Sequence, residues 1–298
     1  SKASPGSTLP AVLKLGKVTV SLPVALTGFL GYFLYLPVID RNLLLTVSGI
    51  FFMAMGSGAV NQIQERKTDA MMKRTAGRPV PSGKIALPHA IFLAAVFTLT
   101  GFILLLLTGS LPALAIGLFT MLWYSLVYTP LKKHTAFAVF PGALIGALPP
   151  LIGWTAAGGD PRDMRILSVA FLLFVGQMPH YWLLLLKVGD EFREAGLPVI
   201  TSLFRPRQIR NISFIWMAAT GAIVLMLPAT PVIRNRLISV ILILFTLLFL
   251  HRMFRLSYRG NLLDHWKKAF NTVNLFYLMI ILVLIADRII GTYVERFP

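Results

Sequence analysis

The chain has 298 residues, of which 56% are hydrophobic and only 13% charged, and its mean hydropathy is +0.76. Soluble domains carry about 25% charged residues, so this is an integral membrane protein, with length for about eight to ten spans of ~20 residues. The net charge of +17 lies in loops and argues for membrane orientation, not nucleic-acid binding; the absence of cysteine excludes disulfides, thiolate metal sites and a cysteine nucleophile.

Residues 1–17 open with the small, polar run SKASPGSTLP and read as a flexible cytoplasmic tail, with no signal peptide ahead of the first span. Residues 18–298 read as a single transmembrane domain. Apolar windows fall near 18–37, 43–64, 86–107, 111–128, 137–157, 166–187, 209–228, 237–254 and 271–290. The expected fold is therefore all-α, a polytopic bundle of about nine spans. If the N-terminus lies on side one, that side carries 21 of the 28 Lys and Arg residues, whereas acids divide almost evenly. The positive-inside rule then places the N-terminus in the cytoplasm and the C-terminus outside. No long basic presequence precedes the first span. A bacterial inner membrane is the expected location, with the mitochondrial inner membrane as the alternative.

The second window runs into the longest hydrophilic stretch of the chain, NQIQERKTDAMMKRTAGRPVPSG over residues 61–83. Asn61, Glu65 and Asp69 are four apart, and at ~100° per residue they share one helical face. Like charges at this spacing repel unless a cation lies between them. A hard divalent ion such as Mg²⁺ suits such oxygen donors and keeps positions open for phosphate oxygens. Arg74 and Arg78 suit the same phosphates, because a guanidinium binds them through two donors. The competing reading is a solvated cytoplasmic loop. Pro79, Pro81 and Gly83 end the helix.

A second polar cluster follows the sixth window, in PHYWLLLLKVGDEFREAGLP over residues 179–198. It brings Asp190, Glu191 and Glu194 to the same side as the first cluster, with Asp190 and Glu194 one turn apart. Two acidic clusters at one membrane face suggest two metal sites across a bundle cavity. No serine–histidine–aspartate pattern and no glycine-rich nucleotide loop is present. GALIGALPP over residues 142–150 reads as a place for close helix packing.

These residues resemble the UbiA superfamily of membrane prenyltransferases. The specific match is Asn61, Glu65 and Asp69 followed by Arg74-Thr75-Ala76-Gly77-Arg78-Pro79. YTPLKKHT (128–135), GALPPLIGW (146–154) and PHYW…DEFREAGLP (179–198) are similar to its heme-farnesylating branch. The resemblance covers spans two to six well and the remainder loosely. Glu191-Phe192 stands where the family usually has Asp-Tyr, Val199 replaces a common Met, and an arginine expected beside Lys17 is absent.

The resemblance implies that Asn61, Glu65, Asp69, Asp190 and Glu191 hold Mg²⁺, as two ions, and that Arg74, Arg78, Lys132 and Tyr128 bind the diphosphate. His180, Trp182 and Tyr124 become candidates for contact with the acceptor; neutral imidazole is a common heme ligand. Trp123, Tyr124, Phe137, Tyr181 and Trp182 could offer π-faces to an allylic cation, although aromatic residues also gather at membrane interfaces for other reasons. The implied substrates are farnesyl diphosphate and heme B, within a lipid bilayer. A downstream heme A synthase or terminal oxidase assembly is the implied consumer of the product. Two alternatives stay open. One is the same diphosphate chemistry on a quinone precursor or other aromatic. The other is a non-catalytic heme-handling or transport protein, which would need polar groups at mid-membrane depth.

Overall fold

The computed structural model describes residues 8–259 and 265–296. Among these residues there is no strand, and nine helices are long and apolar enough to cross a membrane. They are Val18–Tyr35, Arg41–Met71, Leu87–Leu106, Leu111–Leu131, Ala136–Ala156, Met164–Leu186, Pro206–Ala229, Arg236–Arg259 and Trp266–Thr292. These match the nine apolar windows, and the chain is a multi-pass membrane protein.

Sequence neighbours pack side by side, and the ninth span closes the ring against the first and sixth. The tightest seam lies between the first and fifth spans. A Cβ at Gly31 would overlap the Pro150 backbone, and one at Gly153 would overlap the Gly28 carbonyl. The expected close packing of GALIGALPP is thus centred at its end and just beyond it. Gly142 instead meets the Tyr128 ring and Gly146 the Gln177 side chain.

Three helices of 31 residues outlast the bilayer; one is Trp266–Arg296, and the other two carry the polar clusters. Arg41–Met71 and the continuous helix Met164–Glu194 each have 31 residues, about 46 Å at 1.5 Å per residue, against ~30 Å of hydrocarbon. Asp40 caps the first of them by accepting from Leu43 N at 2.8 Å. The overhang of each of these two carries one polar cluster to the same end of the bundle.

The N-terminal segment differs from the expected tail. Residues 1–7 lie outside the described residues, but Thr8–Leu15 is a helix with Ala11 and Leu15 buried against the second and third spans. The apolar run LPAVLKL supplies a buried face that the polar opening residues obscure. The connection at 260–264 also lies outside the described residues.

Candidate functional site

The site forms where the overhangs of the second and sixth spans meet the turn after the fourth. Asn61, Glu65 and Asp69 do share one face of the second span, and all three are buried, with Asp69 only 2% exposed. Asn61 Nδ2 donates to Glu65 Oε2 at 2.9 Å and lies 3.4 Å from Thr129 Oγ1. Each carboxylate also carries a cation. Lys132 Nζ is 2.5 Å from Glu65 Oε1, and Arg78 Nη1 is 2.6 Å from Asp69 Oδ2. Buried charges require such pairing.

The loop after the second span is folded to present these cations. Thr75 Oγ1 donates to the Asp69 carbonyl at 2.9 Å, which ties the short helical turn Lys73–Ala76 back onto the span. Arg74 stands beside it. Burial, then the neighbouring Arg78 charge, lowers its guanidinium from the usual value. Gly83, at φ +72°, supplies the left-handed residue that turns the chain towards the third span.

The fourth span changes pitch as it reaches the site. Over Trp123–Tyr128 it widens to a π-helical turn, a distortion common at functional positions. Gln64 Nε2 of the second span donates to the Ser125 carbonyl there at 3.1 Å. The Tyr124 and Tyr128 rings lie tilted by 30° with centroids 5.5 Å apart, and Lys132 lies 5.6 Å over the Tyr128 ring.

The second cluster divides. Glu191 turns towards the first cluster, its Oε2 3.4 Å from the Arg74 backbone N–H. Asp190 turns away; its side chain is 90% exposed and pairs with Arg193 at 3.5 Å. Adjacent residues on a helix point ~100° apart, so Asp190 and Glu191 face different neighbours. The same rule separates the acceptor candidates. His180 faces the ninth span, with Nδ1 2.7 Å from Asn274 Oδ1 and its ring 4.8 Å from Phe270. Trp182 faces the fifth and seventh spans and is buried among Val139, Met178 and Ile200. Between them Tyr181 approaches Tyr128 on the side of Glu65. Of the other aromatic candidates, Trp123 donates to the Pro141 carbonyl at 3.0 Å, and Phe137 is largely exposed against Phe204.

Sequence reasoning missed Lys17. The Gly16-Lys17 joint follows the N-terminal helix, and Lys17 Nζ donates to Asn61 Oδ1. Burial, followed by the charges of Arg78 and Lys132, lowers this ammonium to about 7. Lys17 and Tyr124 stand at the mouth of a cavity of about 130 Å³ that descends between the first, second, fourth and fifth spans. Its deeper wall is apolar, with Val24, Ile50, Met53 and Ile152.

One amide and two carboxylate oxygens in line form the donor set of a hard divalent ion. Among the described residues, no three Asp, Glu, His or Cys side chains cluster as a metal cage. The neighbouring Lys and Arg side chains suit a phosphate-bearing anion. A charged mouth over an apolar shaft accommodates a molecule with a polyanionic head and a hydrocarbon tail.

Comparison with known proteins agrees. A protoheme IX farnesyltransferase of Geobacter sulfurreducens is 40% identical over 200 residues, covering 66% of this chain and 72% of the relative. A protoheme IX farnesyltransferase of Oleidesulfovibrio alaskensis is 31% identical over 282 residues, covering 95% and 98%. A UbiA homolog from Archaeoglobus fulgidus, solved bound to GPP and Mg²⁺, superposes with a TM-score of 0.68 at 16% identity, covering 94% of this chain and 98% of that one. Residues 16–280 match the UbiA prenyltransferase family. The chain is therefore a membrane prenyltransferase and belongs to the UbiA family.

Proposed function

We propose that this protein transfers the farnesyl group of farnesyl diphosphate to a vinyl group of protoheme IX, giving heme O. The observation that carries the reading is the array of paired carboxylates and cations joined through Asn61 to Lys17, which lines an apolar cavity, in a chain 40% identical over 200 residues to a protoheme IX farnesyltransferase. A quinone precursor as acceptor would use the same diphosphate machinery, but the named relatives favour heme. The polar groups of this site lie at one end of the bundle, where a diphosphate head group would sit, which also favours the enzyme over a transport path.

Asn61, Glu65, Asp69 and Glu191 would hold Mg²⁺, as two ions, and the metal would supply neutralisation of charge on the departing diphosphate. Arg74, Arg78 and Lys132 would grip phosphate oxygens and offset the charge that grows as the allylic C–O bond breaks. The bonding pair leaves on the diphosphate. Tyr124, Tyr128 and Tyr181 offer π-faces to the allylic cation, and the apolar shaft keeps water from it. The vinyl π-electrons form the new C–C bond. Water then adds to the resulting cation and loses a proton. His180, with Nδ1 fixed by Asn274, would contact the acceptor, whereas Trp182 supports the helix from behind. Asp190 would act at the surface, outside the metal set.

We place the protein in a bacterial inner membrane with its N-terminus in the cytoplasm. A heme A synthase or terminal oxidase assembly would consume the product. The test is turnover of farnesyl diphosphate, Mg²⁺ and protoheme in detergent, with mass spectrometry of the extracted heme. A farnesylated, hydrated heme that is absent with EDTA and with Asp69→Asn supports the reading. Diphosphate release with an aromatic acceptor alone would transfer it to quinone chemistry.

A further inference from the structure

Lys17 is the one non-glycine residue with a left-handed backbone among the described residues, at φ 48° and ψ 47°. A β-carbon makes that conformation costly by roughly 1–2 kcal/mol, and such strain persists where surrounding contacts impose it. Here the contacts come from two helices. Gln62 Nε2 donates to the carbonyls of Lys14 at 2.8 Å and Leu15 at 3.1 Å, and Ser21 Oγ donates to the Gly16 carbonyl at 3.0 Å. Gly58 leaves room for the lysine stem, since a Cβ there would lie 3.4 Å from Lys17 Cβ and Cδ. The joint is clamped one residue beyond Asn61. Its ammonium ends beside Asn61 and lines the cavity mouth.

We propose that Lys17 is a diphosphate-binding residue whose left-handed joint fixes the depth at which the allylic head group stops above the apolar shaft. The inference rests on the prenyltransferase reading and adds a contact from the first span to those from the second and fourth. A purely structural lysine would need only a hydrogen-bond donor to Asn61. A phosphate contact needs the positive charge, so the two roles separate on substitution. Lys17→Gln keeps a donor without charge. Lys17→Arg keeps the charge, and Lys17→Gly removes both while relieving the backbone, since glycine adopts this φ freely.

The experiment is calorimetric titration of the full chain in nanodiscs with Mg²⁺ and farnesyl thiolodiphosphate, a poorly ionising analogue, alongside initial rates with farnesyl diphosphate. Lys17→Gln and Lys17→Gly are expected to weaken analogue binding and raise KM by at least tenfold. Lys17→Arg is expected to stay within about threefold of the parent. The glycine variant should melt no lower than the parent, which guards against misfolding as the cause. Parent-like binding by the folded glutamine or glycine variant would overturn the role of Lys17 alone. Absence of analogue binding by the parent would overturn the prenyltransferase reading together with it.

Discussion

Lys132 and Glu65 belong to different spans, yet Nζ and Oε1 meet at 2.5 Å with the carboxylate 8% exposed. This pair joins the turn after the fourth span to the face of the second, and so couples catalytic charge to bundle stability. Removing one partner of a buried pair costs about 3–5 kcal/mol, because the other charge is left desolvated. Lys132→Met should therefore lower the unfolding free energy by about 3 kcal/mol and abolish turnover. Combining it with Glu65→Gln should restore most of the stability and none of the activity. Thermal denaturation in detergent, paired with product analysis, reads both. Additive stability losses in the double variant would remove the pairing from the account.

The second cluster gives a sharper contrast. Asp190 is exposed and pairs with Arg193, whereas Glu191 turns in to the Arg74 backbone. Surface pairs contribute about 0–1 kcal/mol, so Asp190→Asn should leave kcat/KM within about twofold of the parent. Loss of a group that acts on the leaving diphosphate costs on the order of 10²-fold, and Glu191→Gln should fall by that much. Equal losses in the two variants would mean that the helix end reorients when substrate binds.

The cavity predicts chain-length selectivity. Val24 lies two helical turns below Lys17 on the first span and forms part of the shaft wall. Val24→Trp should fill the deep end and reduce kcat/KM for farnesyl diphosphate by at least tenfold, with the loss much smaller for the shorter geranyl diphosphate. Competition between the two donors at equal concentration measures the ratio directly. An unchanged ratio would place the isoprenoid tail elsewhere in the bundle.

The spans were legible in sequence because hydropathy alone decides which segments leave water. Asn61, Glu65 and Asp69 were legible because their spacing falls within one uninterrupted helix, where phase carries over from residue to residue. Phase also explains why neighbouring candidates part in the structure. His180 and Trp182 are two residues apart, which on a helix means opposite faces, and a shared motif does not reveal which face looks inward. Asp190 and Glu191 pose the same problem one residue apart. Tyr124 and Tyr128 meet across a π-helical turn that no residue pattern announces. Lys17 was least legible. Its position depends on a left-handed joint held by Gln62 and Ser21, contacts that close only when the first two spans pack, and the polar start of the chain drew attention to a tail.

The His180–Asn274 contact fixes a tautomer. An amide Oδ1 only accepts, so the imidazole Nδ1 must donate across the 2.7 Å separation. Nε2 is then the lone-pair nitrogen, the form that coordinates iron, and a hydrogen bond to the opposite nitrogen is the usual way such a ligand is held. Losing that kind of support typically costs about 10–100-fold in affinity. Titrating the protein with heme B and following the Soret band tests this without turnover. His180→Ala should abolish the spectral shift and weaken heme binding by at least tenfold. Asn274→Leu should weaken it by roughly tenfold, and Asn274→Asp, which retains an acceptor, should keep the parent spectrum. Affinity for the prenyl diphosphate analogue should be unchanged in all three, because the contact lies on the ninth-span side of the helix, away from Glu65 and Asp69. A parent-like heme spectrum in His180→Ala would assign the residue to helix packing and leave acceptor recognition to the face of Tyr181.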